Sequence, residues 1–267
     1  MNDLSAEQLP MSSLFVAHGA PDLVLSDIPA RRFLRSLGRS LARPRAIVVV
    51  SAHWVAPELQ ITPAARLETL HDYYGWQAEL YDIDYRAQGA DWLSRRVVEV
   101  LAGAGYPVTT GARPGLDHGA WVPLLLMYPE GVVPVVQLSL LQAADPEWHF
   151  RVGQALDVLC GEGVLVIGSG GAVHNPRRLR PTGSVPDAWA RAFDDWLCDR
   201  LMQRDLQQLF DFSRVAPHAG LAHPSVEHLM PLFVAMGAGW SDGRVQRLHH
   251  SFSYGNLSMA CYAFARR

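Results

Sequence analysis

The sequence contains no lysine. Its 23 strongly basic side chains are all arginine and stand against 26 acidic residues. Formal charge is −3 and the pI about 6.4, so no basic stripe is available to follow a nucleic acid. Cysteine is scarce: Cys160, Cys198 and Cys261 are odd in number, far apart and form no C-x-x-C pair. That argues against a disulfide frame or a thiolate zinc site and points to a reducing cytoplasm. No apolar run approaches the ~20 residues needed to span a bilayer. The first ten residues are polar, with Asp3 and Glu7, and lack the basic start and apolar stretch of a signal peptide. These absences predict a soluble cytoplasmic protein, a monomer or small homo-oligomer, with neither nucleic acid nor membrane as partner.

What is present is a large apolar content, 49% of 267 residues, enough to bury a sizeable core. Leu14–Ala17, Ala46–Val50, Val132–Leu138 and Val164–Ile167 are short apolar runs rich in branched residues, as in strands covered on both faces. Leu257–Phe264 reads as a closing strand. Helical spacing or composition marks Arg31–Leu41, Asp91–Ala102, Ala120–Met127, Glu147–Leu159, Asp187–Met202 and Val226–Met236, the last containing Pro231, which should bend it or mark a boundary. Strands alternating with helices predict an α/β fold: one layered domain over 1–267 with a largely buried central sheet flanked by helices. The stretch from Thr62 to Gln88, rich in Tyr, Asp and Trp, is longer than an ordinary connection and reads as a functional loop or lid.

Eleven histidines are the main compositional bias, and histidine is the commonest metal ligand as well as the usual acid or base near neutral pH. His18 follows Leu14–Ala17, His53 follows Ala46–Val50, and His174 lies shortly after Val164–Ile167. Ligands collect beyond the carboxyl ends of parallel strands in open α/β sheets, so three strands could bring these rings to one pocket. A single histidine after a strand is more often a hydrogen-bonded structural residue than a ligand; three at equivalent places favour a site. His118 precedes a helix, with Asp117 as a candidate to orient its ring, although a capping turn explains it equally well. In His223–His228, Ser225 could cap the following helix and place Glu227 and His228 in its first turn. His249 and His250 read as solvated, and His149 as structural. Gly168–Gly171 lacks the Lys-Ser/Thr of a phosphate loop, and Ser169 lacks the setting of a nucleophile.

Taken together, His18–Pro21 (HGAP), Ser51–Trp54 (SAHW), His71–Trp76 (HDYYGW), Leu80–Asp82 (LYD), Asp117–Trp121 (DHGAW), Val136–Ser139 (VQLS), Gly168–Asn175 (GSGGAVHN) and His223–His228 (HPSVEH) make the sequence resemble the DOPA-dioxygenase-type, LigB-like extradiol ring-opening dioxygenases. The motifs run over nearly the whole chain, and one departure is Ala20 where many relatives carry serine. The resemblance implies a single α/β domain and one divalent metal, Zn2+ or Fe2+. It implies His18 and His53 as ligands, His228 as the third, and His174 in or beside the coordination shell. Some members are described with zinc at all four histidines, whereas the wider class implies His174 as base and His118 as acid or substrate-binding residue.

Opening a catechol ring with dioxygen requires a redox-active metal, which Zn2+ is not; Fe(II) oxygenases usually offer two histidines and a carboxylate. Glu227 is the carboxylate candidate beside His228, and helical neighbours differ by ~100° in direction, so one of the two should face the metal, with His228 favoured by the resemblance. The substrate would be a small DOPA-like catechol, opened to a muconate semialdehyde, with His71, Tyr73 and Trp76 lining its approach. Two rivals share the pocket: a zinc hydrolase or lyase acting on another aromatic or carbonyl substrate, and a non-catalytic binding protein of the same fold.

Overall fold

The computed structural model describes residues 13–63, 66–241 and 244–265; the polar start containing Asp3 and Glu7 lies outside them. Eight strands form the main sheet: β1 (Ser13–Ala17), β2 (Ala46–Ala56), β3 (Leu59–Ile61), β4 (Val108–Thr110), β5 (Val135–Leu141), β6 (Val164–Gly170), β7 (Arg244–His249) and β8 (Cys261–Ala265). Their order is β4-β3-β5-β2-β6-β1-β8-β7. The central four, β5-β2-β6-β1, are parallel. β8 and β7 continue antiparallel on one side, and β3 joins β5 antiparallel on the other.

Pleating sends successive side chains to opposite faces. Phe15, Val48, Val50, Val136 and Val166 enter one buried cluster, and Leu14, Val16, Ile47, Val49, Val135 and Ile167 the other. The first face is covered by helices Asp91–Gly103, Pro146–Gly161, Ala188–Gln203 and Met230–Ala238, and the second by Pro29–Ser40 and His118–Met127. Each fully buried Val, Leu or Ile contributes roughly 1.5–3 kcal/mol, so the two-sided sheet is the rigid platform of the molecule. The α/β layered architecture expected from the alternating pattern is the one observed.

Several boundaries differ for physical reasons. Pro134 has no N–H to give a ladder, so its strand starts one residue later. Pro231 occupies the first turn of its helix, where no N–H is needed, so the helix begins at Met230 and His228 sits in the turn before it. The expected closing strand is two pieces, Leu257–Ser258 and Cys261–Ala265. Strand β2 continues past Val50 to Ala56, so His53 lies within it and not after it. Its pairing with β5 shifts register between Val50 and Val55, a bulge that re-aims the intervening side chains. The helix Met230–Ala238 packs so tightly on β6 that a Cβ on Gly168 would stand 2.0 Å from the Pro231 carbonyl oxygen. No helix among the described residues is long and apolar enough to cross a membrane.

Candidate active site

Register places Ala17 beside Gly170, and Ser51 beside Ser169, so the ends of β1 and β6 lie level with Ser51, two residues before His53 within β2. His18 leaves β1 at this edge, its amide donating to the Gly170 carbonyl at 3.2 Å. Its Nδ1 is 3.1 Å from Ser169 Oγ, whose single hydroxyl proton goes to the Gly119 carbonyl. Ser169 must therefore accept from His18 Nδ1–H, leaving the Nε2 lone pair of His18 free.

That Nε2 stands 3.1 Å from His53 Nε2, which in turn is 3.3 Å from His228 Nε2. His228 commits its Nδ1 to Glu227 Oε1 at 3.0 Å, and Glu227 also accepts from Ser225 Oγ at 2.8 Å. Glu227 thus lies on the far side of the His228 ring from His53. Leu229, not Ser225, is the N-cap of the helix, and the helical premise for weighing Glu227 against His228 does not apply. Gly170 makes the placement possible: a Cβ there would lie 2.1 Å from the His228 carbonyl oxygen, which accepts from Gly171 N at 2.9 Å.

His118 is the first residue of its helix, and Asp117 caps that helix through the Ala120 amide at 3.1 Å. Asp117 is not what orients the His118 ring. Asp72 does this: its Oδ1 accepts from both the amide and Nδ1 of His118, each at 2.9 Å. The His118 and His53 ring centroids are 4.0 Å apart. His18, His53 and His118 form a group whose potential ligand atoms all lie within 4.8 Å of one another. His174 lies flat on His228, centroids 3.5 Å apart and planes 9° from parallel; among the described residues no hydrogen bond engages its ring nitrogens.

Burial is the largest cause holding the His18, His53, His174 and His228 rings neutral, reinforced by repulsion between charged imidazoles. His18 and His228 are lowered well below the ordinary histidine value, His53 to about 3 and His174 to about 4. Burial opposes ionisation of Asp72, but the His118 hydrogen bonds and charge outweigh it and bring Asp72 to about 2. Neutral imidazoles with neighbouring Nε2 atoms, those of His18 and His228 with Nδ1 committed elsewhere, suit a divalent cation. Nitrogens ~2.1 Å from a tetrahedral ion stand roughly 3.4 Å apart, close to the two spacings seen here.

Of the aromatic loop residues, Tyr73 sets its ring edge-on to His118, with centroids 5.5 Å apart, and its hydroxyl donates to Leu80 O at 3.0 Å. His71 Nε2 donates to Ile83 O at 3.1 Å, and its ring contacts Tyr73 and Trp121. Trp76 meets Tyr254, centroids 6.3 Å apart. Elsewhere His223 donates to Ala172 O at 3.0 Å and His149 to Asp145 O at 2.9 Å, both buried and structural. His249 and His250 are not simply solvated: His249 stacks on Phe33, and His250 Nε2 is 3.0 Å from Asp194 Oδ2. Asp72 and Ser169 are the polar partners that residue spacing could not reveal, since each meets its histidine across a long stretch of chain.

The family model for the catalytic LigB subunit of aromatic ring-opening dioxygenase matches residues 25–265. This chain belongs to that family. It is 38% identical over 265 residues to a 4,5-DOPA dioxygenase extradiol of Beta vulgaris, covering 98% of this chain and 99% of the relative. It is 36% identical over 263 residues to the enzyme of that name from Escherichia coli K12, covering 97% and 96%. A solved structure of an uncharacterized Escherichia coli K12 protein, JW3007, superposes with a TM-score of 0.81 at 34% identity, covering 96% of this chain and all of that one. As a LigB-family member the protein is an extradiol ring-cleavage dioxygenase, and its histidine cluster is suited to hold a metal.

Proposed function

We propose that the protein, as one catalytic domain spanning 1–267, opens a DOPA-like catechol with dioxygen to a muconate semialdehyde at a single divalent metal held by His18, His53 and His228. The observation that carries this reading is the chain of three facing Nε2 atoms, 3.1 and 3.3 Å apart, two of whose rings have their Nδ1 protons engaged elsewhere. His228 is preferred to Glu227 as third ligand because the Glu227 carboxylate is turned to the opposite edge of that ring. The names of the relatives supply the substrate class. Bound Fe(II) supplies the redox couple that ring opening by dioxygen needs and that zinc lacks.

Around that centre, His174 is the general base. Its ring is neutral near pH 7, partly buried against His228 and free of hydrogen bonds among the described residues, so it can take a catechol hydroxyl proton. His118, held by Asp72 through Nδ1, takes the second catechol hydroxyl proton at Nε2 and returns it to oxygen as the O–O bond breaks. Tyr73 borders His118, and with His71 and Trp76 it lines the approach of the aromatic ring. The three cysteines are buried and form no disulfide among the described residues, which fits a cytoplasmic setting. Fe(II)-reconstituted protein given DOPA should consume one dioxygen per yellow product formed, with both oxygen atoms in the product by mass. Full iron occupancy without oxygen uptake on any catechol would refute the proposal.

A further inference from the structure

Asp72 connects the aromatic loop to two histidines of the site at once. Its Oδ1 accepts both the His118 amide and His118 Nδ1–H, and its Oδ2 lies 3.8 Å from His53 Nδ1. The residues on either side of it also face the site's aromatic wall. Tyr73 stands edge-on to the His118 ring, and His71 contacts Trp121, whose indole N–H donates to the Leu70 carbonyl at 3.0 Å. Residues 70–73 are therefore seated on the start of helix His118–Met127 by backbone, ring and carboxylate contacts together.

We propose that Asp72 is the positioning residue of His118: it locks the ring as the Nδ1–H tautomer and aims Nε2 at the reacting atoms. This rests on the functional reading above. The physical basis is that a carboxylate has no proton to give, so Nδ1 must carry one, and the ring's other nitrogen is the one that exchanges protons with substrate. The same carboxylate stabilises the charged ring while it holds a substrate proton, the service a buried aspartate renders a catalytic histidine in hydrolases. Because Asp72 belongs to the aromatic loop, a competent His118 exists only while that loop is seated. Substrate that packs against Tyr73 would thereby help to assemble its own proton donor.

The test uses the full chain loaded with Zn(II), which is diamagnetic, and labelled with 15N at histidine; the His118 signals are assigned by their disappearance in His118→Ala. The expected spectrum is an Nδ1-protonated neutral ring in the native protein, changed in Asp72→Asn. An Nε2-protonated His118 in the native protein would overturn the proposal, with no need for any Asp72 variant to fold. In the Fe(II)-loaded enzyme, Asp72→Asn should keep one metal per chain and a native melting curve. Its kcat should fall ~100-fold or more, the scale of a lost general acid, while KM changes by only about twofold. Asp72→Glu should recover part of the loss. Adding Asp72→Asn to His118→Ala should cost nothing further, because the two act as a unit; additive losses would overturn the proposal. An enzyme loaded with iron that turns over no catechol fails the functional reading, while the tautomer measurement still decides the role of Asp72.

Discussion

Gly170→Ala tests how the fold builds the site. The added methyl would lie 2.1 Å from the His228 carbonyl oxygen and 3.2 Å from Phe15 Cε2. The first distance is more than 1 Å shorter than an ordinary contact. Phe15 is in the closed core of the sheet, so the turn carrying His228 must yield. That movement breaks the 2.9 Å bond from Gly171 N to His228 O and widens the 3.3 Å gap between His228 and His53. Overpacking of this kind costs about 1–3 kcal/mol, and misplacing one ligand should weaken metal binding by ~10–100-fold, the range seen when the partners of ligands are disturbed. Gly103→Ala is the control: nothing lies within 4 Å of its added methyl, and at the end of a helix it should raise stability by about 0.5–1 kcal/mol. Denaturant unfolding of metal-free protein and competition titration with a chelator read the two effects separately. A Gly170→Ala protein with native stability and native metal affinity would refute the packing account of the site.

Three further outcomes are expected. His174→Ala should retain its metal and lose turnover ~100-fold or more, so undiminished turnover would remove it as base. Glu227→Gln should weaken metal affinity by ~10–100-fold, through the Nδ1 partner of His228, without abolishing binding; a complete loss would make Glu227 itself a ligand. Metal-free protein should lose stability as pH falls below 6.5. Burial holds His53 at about 3 and His174 and His223 at about 4 when folded, so in this window the unfolded chain binds more protons. Each ring then removes about 1.4 kcal/mol per pH unit, until its own folded value is reached. Equal denaturant midpoints at pH 7 and pH 5 would contradict those burials.

The central sheet was legible because β1, β2 and β6 are buried on both faces and therefore read as unbroken branched apolar runs. The edges were not. β7 is largely exposed and polar, and β3 and β4 are three residues each, too short for a period to show. Placement past apolar runs singles out His18, His53 and His174 as candidates, although the bulge that keeps His53 inside β2 depends on pairing with β5 and has no local signature. His118 and His228 gain their proposed roles from family resemblance, since neither follows an apolar run that reads as a strand; the strand before His118, Gly115–Leu116, is only two residues long. Asp72 could not be singled out by spacing, because its partner is 46 residues away. The Gly168–Gly171 run does not match a phosphate loop, and the neighbours of Gly168 and Gly170 in space are the Pro231 and His228 carbonyls, which no local pattern discloses.

The most direct test is metal stoichiometry in protein purified without air, native and His53→Ala side by side. His53 Nε2 is the atom that both His18 and His228 approach, so the native chain should carry one divalent metal and the variant less than about a tenth of one. A His53→Ala protein holding a full equivalent would show that the imidazoles do not share an ion.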